Sequence, residues 1–268
     1  MTRRAVVAGT FYPLSADSLK HSLAKLFGEA SKSDCVCVVS PHAGYEYSGR
    51  TAALAIASLK QTKTFIIIGP NHNLIGPDFS VMSSGKWQTP LGEVEIDSRL
   101  AKELEKCSVL EEDDLAHARE HSIEVQLPFL QYRFKKFSFV PISISNTDYS
   151  DDFLGKCEML GRHIAKTVKG KSVGMIASSD FSHYLPAKIA DKKDSEAVEK
   201  VISLDTKGFF VTLERVDASV CGYAPIAVVM SAAKAMGLKK AEVINHTNSG
   251  DATGDYSSVV SYYAIGFK

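Results

Sequence analysis

The chain predicts an α/β protein with a mostly parallel central sheet, formed as one domain spanning residues 1–268. Three observations predict it. Short β-branched runs alternate with amphipathic helical stretches along most of the sequence, the rhythm of βαβ units. No fixed-period repeat, low-complexity segment or flexible linker divides the 268 residues, a length that α/β folds reach as a single unit. And three of the runs end in the same way, with a histidine just past the strand, on the rim where open α/β sheets bind ligands.

In chain order, Ser15 opens a helix with Leu19, Leu23, Leu26 and Phe27 on one face, closed by Gly28. A strand at 35–39 leads into Ser40-Pro41-His42-Ala43-Gly44-Tyr45. Ser48 or Gly49 is expected to cap the next helix, whose Ala52, Ala53, Ile56 and Leu59 suit close packing on a sheet. A strand at 64–68 ends in Gly69-Pro70-Asn71-His72, completing a βαβ unit that makes the first two histidine-bearing strands parallel. Residues 87–96 read as a hairpin around Pro90-Leu91-Gly92, an insertion near the rim. Asp97 caps a helix to about Lys106, and Glu111 to Asp114 reads as a solvated acidic loop. The stretch 119–130 is expected to be helical, with Glu120 and Glu124 on one face, His121 one position aside and a kink at Pro128.

A strand at 137–144 carries Pro141, which suggests an edge or a bulge. A helix at 150–168 and a strand at 172–178 continue the rhythm, the strand ending in Ser179-Asp180-Phe181-Ser182-His183. Helices at 187–203 and 206–215 lead to Ser219-Val220-Cys221-Gly222-Tyr223-Ala224-Pro225 and a helix at 225–236. Strands at 241–246 and 256–267 close the chain.

Composition excludes several function classes. Lys plus Arg and Asp plus Glu are 31 each, so no global field favours nucleic acid or an anionic membrane. The apolar runs fall far short of the roughly 20 residues a spanning helix needs, and the first residues do not form a secretory leader. A cytoplasmic protein with a small or locally selected partner is expected. Five cysteines without Cys-x-x-Cys spacing indicate neither a disulfide framework nor a zinc ribbon. Cys221, at a helix start, is placed where a thiolate would be stabilised.

One loop histidine is readily explained by a backbone hydrogen bond; three in matched contexts point to a shared site. Two neutral imidazoles from neighbouring strand ends plus one anionic ligand make a metal site with open positions. The third ligand is Cys221, Asp180 or a glutamate of the 120–124 segment, a choice that spacing leaves open. His183 suits a general acid or base with Asp180 three residues away to orient it. His121 either enters the site or covers it, and Tyr45 and Tyr47 are candidate pocket walls. His21, His117, His163 and His246 have no such context.

The segments Pro41-His42-Ala43-Gly44-Tyr45, Gly69-Pro70-Asn71-His72, Glu120-His121-Ser122-Ile123-Glu124, Ser178-Ser179-Asp180-Phe181-Ser182-His183 and Cys221-Gly222, in this order, resemble the signature segments of the Memo family. Ala8-Gly9-Thr10-Phe11-Tyr12-Pro13 and Tyr256-Ser257-Ser258-Val259-Val260-Ser261-Tyr262 extend the resemblance to both ends of the chain. It implies a three-layer αβα sandwich similar to class III extradiol dioxygenases, which are non-heme iron enzymes. It implies His42, His72 and Cys221 as metal ligands, with Asp180 and His183 beside them in the pocket; His183, Asp180 and His121 are the candidate catalytic residues. Where those dioxygenases use two histidines and a carboxylate, this family carries a cysteine, a softer donor suited to copper or zinc as well as iron(II). The resemblance also implies a pathway shared with a radical-SAM protein. Three functions are therefore expected in order: a metal-dependent redox enzyme, an inactive dioxygenase-like module that binds a peptide or protein partner at the sheet's rim, and a thiol hydrolase using Cys221 and His183.

Overall fold

The computed structural model describes residues 1–30 and 33–268. Its strands are β1 (Thr2–Arg3), β2 (Cys37–Ser40), β3 (Thr64–Pro70), β4 (Phe79–Val81), β5 (Lys86–Thr89), β6 (Gly92–Ile96), β7 (Glu111–Glu112), β8 (Ser138–Ile144), β9 (Gly174–Ser178), β10 (His183–Leu185), β11 (Ala241–Asn248) and β12 (Val259–Phe267). Its helices are α1 (Ala16–Phe27), α2 (Tyr45–Ser58), α3 (Ser98–Leu104), α4 (Leu115–Ala118), α5 (Leu127–Phe134), α6 (Asp151–Thr167), α7 (Ala187–Ile202), α8 (Thr206–Val216), α9 (Tyr223–Ala235) and α10 (Gly250–Thr253).

The sheet runs β1-β5-β6-β8-β3-β9-β2-β12-β10, with β11 on β12 and β4 on β8. Its centre, β6, β8, β3, β9 and β2, is parallel, and β12 joins β2 antiparallel. Central strands such as Phe65-Ile66-Ile67-Ile68 are buried along their whole length, as expected where helices cover both faces of a parallel sheet. Helices α1, α2 and α5 pack together, with α2 against β2, β11 and β12, while α6 and α9 pair and α9 lies against β2, β3 and β9. Ala52, Ala53, Ala55 and Ala57 on α2 are buried, the small side chains allowing that close approach.

Caps occur where polar residues precede the periodic stretches. Ser15, Asp97 and Ser150 each accept an amide from the first turn of α1, α3 and α6.

The structure corrects several expectations. β2 and β3 are parallel but not neighbours, because β9 inserts between them. Helix α2 starts at Tyr45 with Gly44 as its N-cap; Ser48 and Gly49 lie inside it, and a Cβ on Gly49 would meet Leu26 of α1 at 2.8 Å. The 119–130 stretch is not one helix but a turn, a 3-10 turn (Glu124–Gln126) and α5. Glu124 is claimed by the Val6 and Val7 amides and Glu120 by those of His72, His121 and Ser122, and Pro128 lies in the first turn of α5, where its missing N–H is not needed. Pro141 is interior: β6 pairs with Ser138 and Phe139, β4 with Ile142 to Ile144, and the proline falls in the gap. The β5-β6 hairpin exists, but it pairs with the first residues of β8, at the sheet edge away from the rim. Glu111 and Glu112 are exposed yet form β7 against β4.

Candidate metal centre

The carboxyl ends of β2, β9 and β3, side by side, deliver His42, Asp180 and His72 to one crevice. Cys221, at the entry to α9, joins them from a fourth direction. His42 Nε2 lies 3.2 Å from Cys221 Sγ, and one ligand atom each from His42, His72 and Cys221 all fall within 4.8 Å of one another. The expected trio therefore shares a point.

Hydrogen bonds fix which nitrogen each histidine presents. Ser178 donates its hydroxyl proton to the Ser122 carbonyl at 2.6 Å and receives Gln126 Nε2 at 2.9 Å. His42 Nδ1, 3.0 Å from the same oxygen, must then be the N–H, which leaves a lone pair on Nε2 facing the sulfur. Burial, followed by the neighbouring His72, His121 and His183, holds the His42 imidazole well below its usual pKa, so it is neutral at pH 7.

Glu120 does the same for His72. Burial raises the Glu120 pKa, but its hydrogen bond to His72, electrostatic attraction to the His72 and His121 rings, and a backbone amide outweigh it and bring it down to about 2. Its carboxylate accepts the amides of His72, His121 and Ser122 at 2.6, 2.8 and 2.9 Å. Being ionised, it can only accept from His72 Nδ1 at 3.0 Å. His72 Nε2 is then the atom left with a lone pair for a ligand, in the carboxylate–histidine arrangement common around bound metals.

The remaining groups surround this point. The His121 ring stacks on His72 with centroids 4.8 Å apart and packs against Phe11. His183 Nδ1 lies 2.8 Å from the Ser219 carbonyl, and the Ser219 hydroxyl accepts its backbone N–H. Because a carbonyl only accepts, His183 Nε2 is its basic atom. Ser219 orients His183. Asp180 instead accepts the His42 backbone N–H at 2.8 Å, and burial pushes its pKa up to about 6 despite that amide. Tyr47 lines the crevice, while Tyr45 is buried and its hydroxyl donates to the Val125 carbonyl. The cavity holds about 530 Å³.

Cys221 corrects one expectation. It does precede α9, and the Asp180 N–H points at its sulfur at 3.2 Å. Burial and the Asp180 charge nevertheless push its thiol well above the usual range. The helix start alone does not make a thiolate here.

Residues that sequence reasoning missed are Ser178, Gln126 and Ser219. Ser178 and Ser219 carried no signal beyond their place in segments singled out for other residues, and Gln126 carried none. Glu124, considered as a ligand, lies elsewhere: Arg3, the Tyr12 hydroxyl and the Val6 and Val7 amides all converge on it.

A family profile described as Memo-like protein matches residues 3–266. The chain belongs to the Memo family. Curated relatives include MEMO1 family proteins of Methanosarcina barkeri, 43% identical over 98% of both chains, and of Methanopyrus kandleri, 40% identical over 100% of this chain and 99% of the other. Among solved structures, an uncharacterized protein of Escherichia coli K12 is similar in fold, with a TM-score of 0.52 and 14% identity over 87% of this chain and 99% of that one. Among the described residues of this Memo protein, no helix is long and apolar enough to cross a membrane.

Proposed function

We propose that this Memo-family protein is a metal-dependent redox enzyme of the non-heme iron kind, holding one divalent ion through His42 Nε2, His72 Nε2 and Cys221 Sγ. The observation that carries the reading is the convergence of two oriented Nε2 lone pairs with one sulfur. Iron(II) is the first candidate; copper and zinc suit the same donors. A bound ion would supply Lewis acidity and, for iron or copper, electron transfer to a reactant in its open positions.

The chain's own residues do the rest. Ser178 and Glu120 keep the two imidazoles in the ligating tautomer. His183 Nε2 takes or returns a proton at a substrate in the cavity, with Ser219 fixing its ring. Asp180 holds the His42 loop by its amide. The substrate is a small molecule or a short peptide segment. The raised Cys221 pKa disfavours the thiol-hydrolase alternative.

The test is metal analysis of protein purified without oxygen. Wild type is expected to carry about one ion per chain, and His42→Ala and Cys221→Ser to lose most of it. If wild type takes up none, or both variants keep a full complement, the reading fails and the cavity is better treated as a binding module.

A further inference from the structure

We infer that the cavity selects a substrate bearing a positively charged amine, held at its mouth by Glu46 and the rings of Tyr47 and Tyr184. The inference deepens the reading above, since it names the substrate class of the same cavity.

The first observation is charge. Two carboxylates, Glu46 and Asp180, line the cavity, and no lysine or arginine does. With a divalent ion and a Cys221 thiolate in place, the carboxylates of Glu46, Asp180 and Glu120 still outnumber the remaining positive charge. An anionic substrate would meet repulsion unless backbone donors offset it.

The second observation is that most of those donors are taken. The loop after β2 runs into the start of α2, where an anion would ordinarily find amides. Here the His42 amide is bound by Asp180, the Tyr45 amide by the Phe11 carbonyl, and the Tyr47 and Ser48 amides by the Gly44 carbonyl.

The third is the wall chemistry. Phe11, Tyr47, Tyr184 and Tyr262 line the cavity. Tyr184 is 79% exposed and has a φ of 58°, a conformation uncommon for a bulky aromatic residue. Its ring stands beside that of His183, with centroids 5.9 Å apart. Tyr47 is also solvent-facing, and the adjacent Glu46 raises the pKa of its phenol. A cavity lined by a carboxylate and several electron-rich rings has the chemistry that recognises an ammonium group.

The experiment compares three probes of one shape: phenethylamine, 2-phenylethanol and phenylacetate. Binding is measured by calorimetry on chelator-treated and on iron-loaded protein, with metal content determined for each. Phenethylamine is expected to bind at least about tenfold more tightly than phenylacetate, with the alcohol between. Glu46→Gln is expected to reduce that preference to about twofold or less, and Tyr184→Ala to weaken the amine more than the alcohol. Phenylacetate binding as well as the amine, a preference unchanged in Glu46→Gln, or no amine binding in either state overturns the inference. An amine preference in protein that takes up no iron would leave it standing while the metal reading fails. Full iron uptake without the preference would do the reverse.

Discussion

Ser178 Oγ and the Glu120 carboxylate decide which nitrogen His42 and His72 turn toward Cys221. Outer partners of this kind tune affinity without touching the metal. Glu120→Gln, which replaces an obligate acceptor with a group that can also donate, is expected to lower metal affinity about 10- to 100-fold. Competition against a chelating dye reads this out, and an unchanged affinity would remove Glu120 from the site. His117 is a different residue-scale case. It is fully buried beside Trp87, and neither ring nitrogen has a hydrogen-bond partner among the described residues. Burial, then the nearby Arg3, depresses its pKa to about 3. The unfolded chain therefore binds a proton between about pH 6.5 and pH 3 that the folded chain refuses. Its contribution to stability is complete above the unfolded pKa and is lost as pH falls through that window, with a slope of at most about 1.4 kcal/mol per pH unit. In His117→Phe, denaturant titrations across that range should show a shallower decline than in wild type.

At the scale of elements, the segment before α1 contains little regular structure, yet Thr10 and Phe11 form one wall of the cavity. Glu124 holds it there. Its carboxylate receives Arg3 Nη1 at 2.7 Å, the Tyr12 hydroxyl at 2.6 Å and the Val6 amide at 2.9 Å, and both members of the ion pair are buried, at 5% and 1% side-chain exposure. Removing one partner of such a pair strands the other, at a cost of about 3–5 kcal/mol. Glu124→Ala is expected to lower stability on that scale and to expose residues near the N-terminus to limited proteolysis. A variant as stable and as protease-resistant as wild type would show that the segment is held by other contacts. The Cys221 loop is secured in a similar way: Asn146 Nδ2 bonds the Cys221 carbonyl, the Tyr223 hydroxyl donates to the Asp148 carbonyl at 3.0 Å, and Gly222 packs so closely that a Cβ would meet the Ser178 carbonyl at 2.5 Å.

Over the whole molecule, buried hydrophobic residues from Tyr12 to Phe267 form one cluster around the sheet, and the candidate centre lies where β2, β9 and β3 end. Most elements were legible in the sequence, because helix and strand periodicities, caps at Ser15, Asp97 and Ser150, and strand-ending Gly-Pro are local signals. So was the set of side chains brought together, since His42, His72, Asp180 and His183 each follow a β-branched run. What the sequence left undetermined is distant in the chain. It did not place β9 between β2 and β3, because strand order depends on how helices cover the sheet. It did not show that the 120–124 stretch abandons a helix, because the amides that claim Glu120 and Glu124 come mainly from other segments. Nor did it select a tautomer: His42 depends on a serine 136 residues away and His72 on a glutamate 48 away. Local chemistry determined which groups reach the rim of this Memo protein. Only tertiary hydrogen bonding decided which lone pairs face the sulfur, because a ring's proton goes to whatever acceptor the fold places beside it.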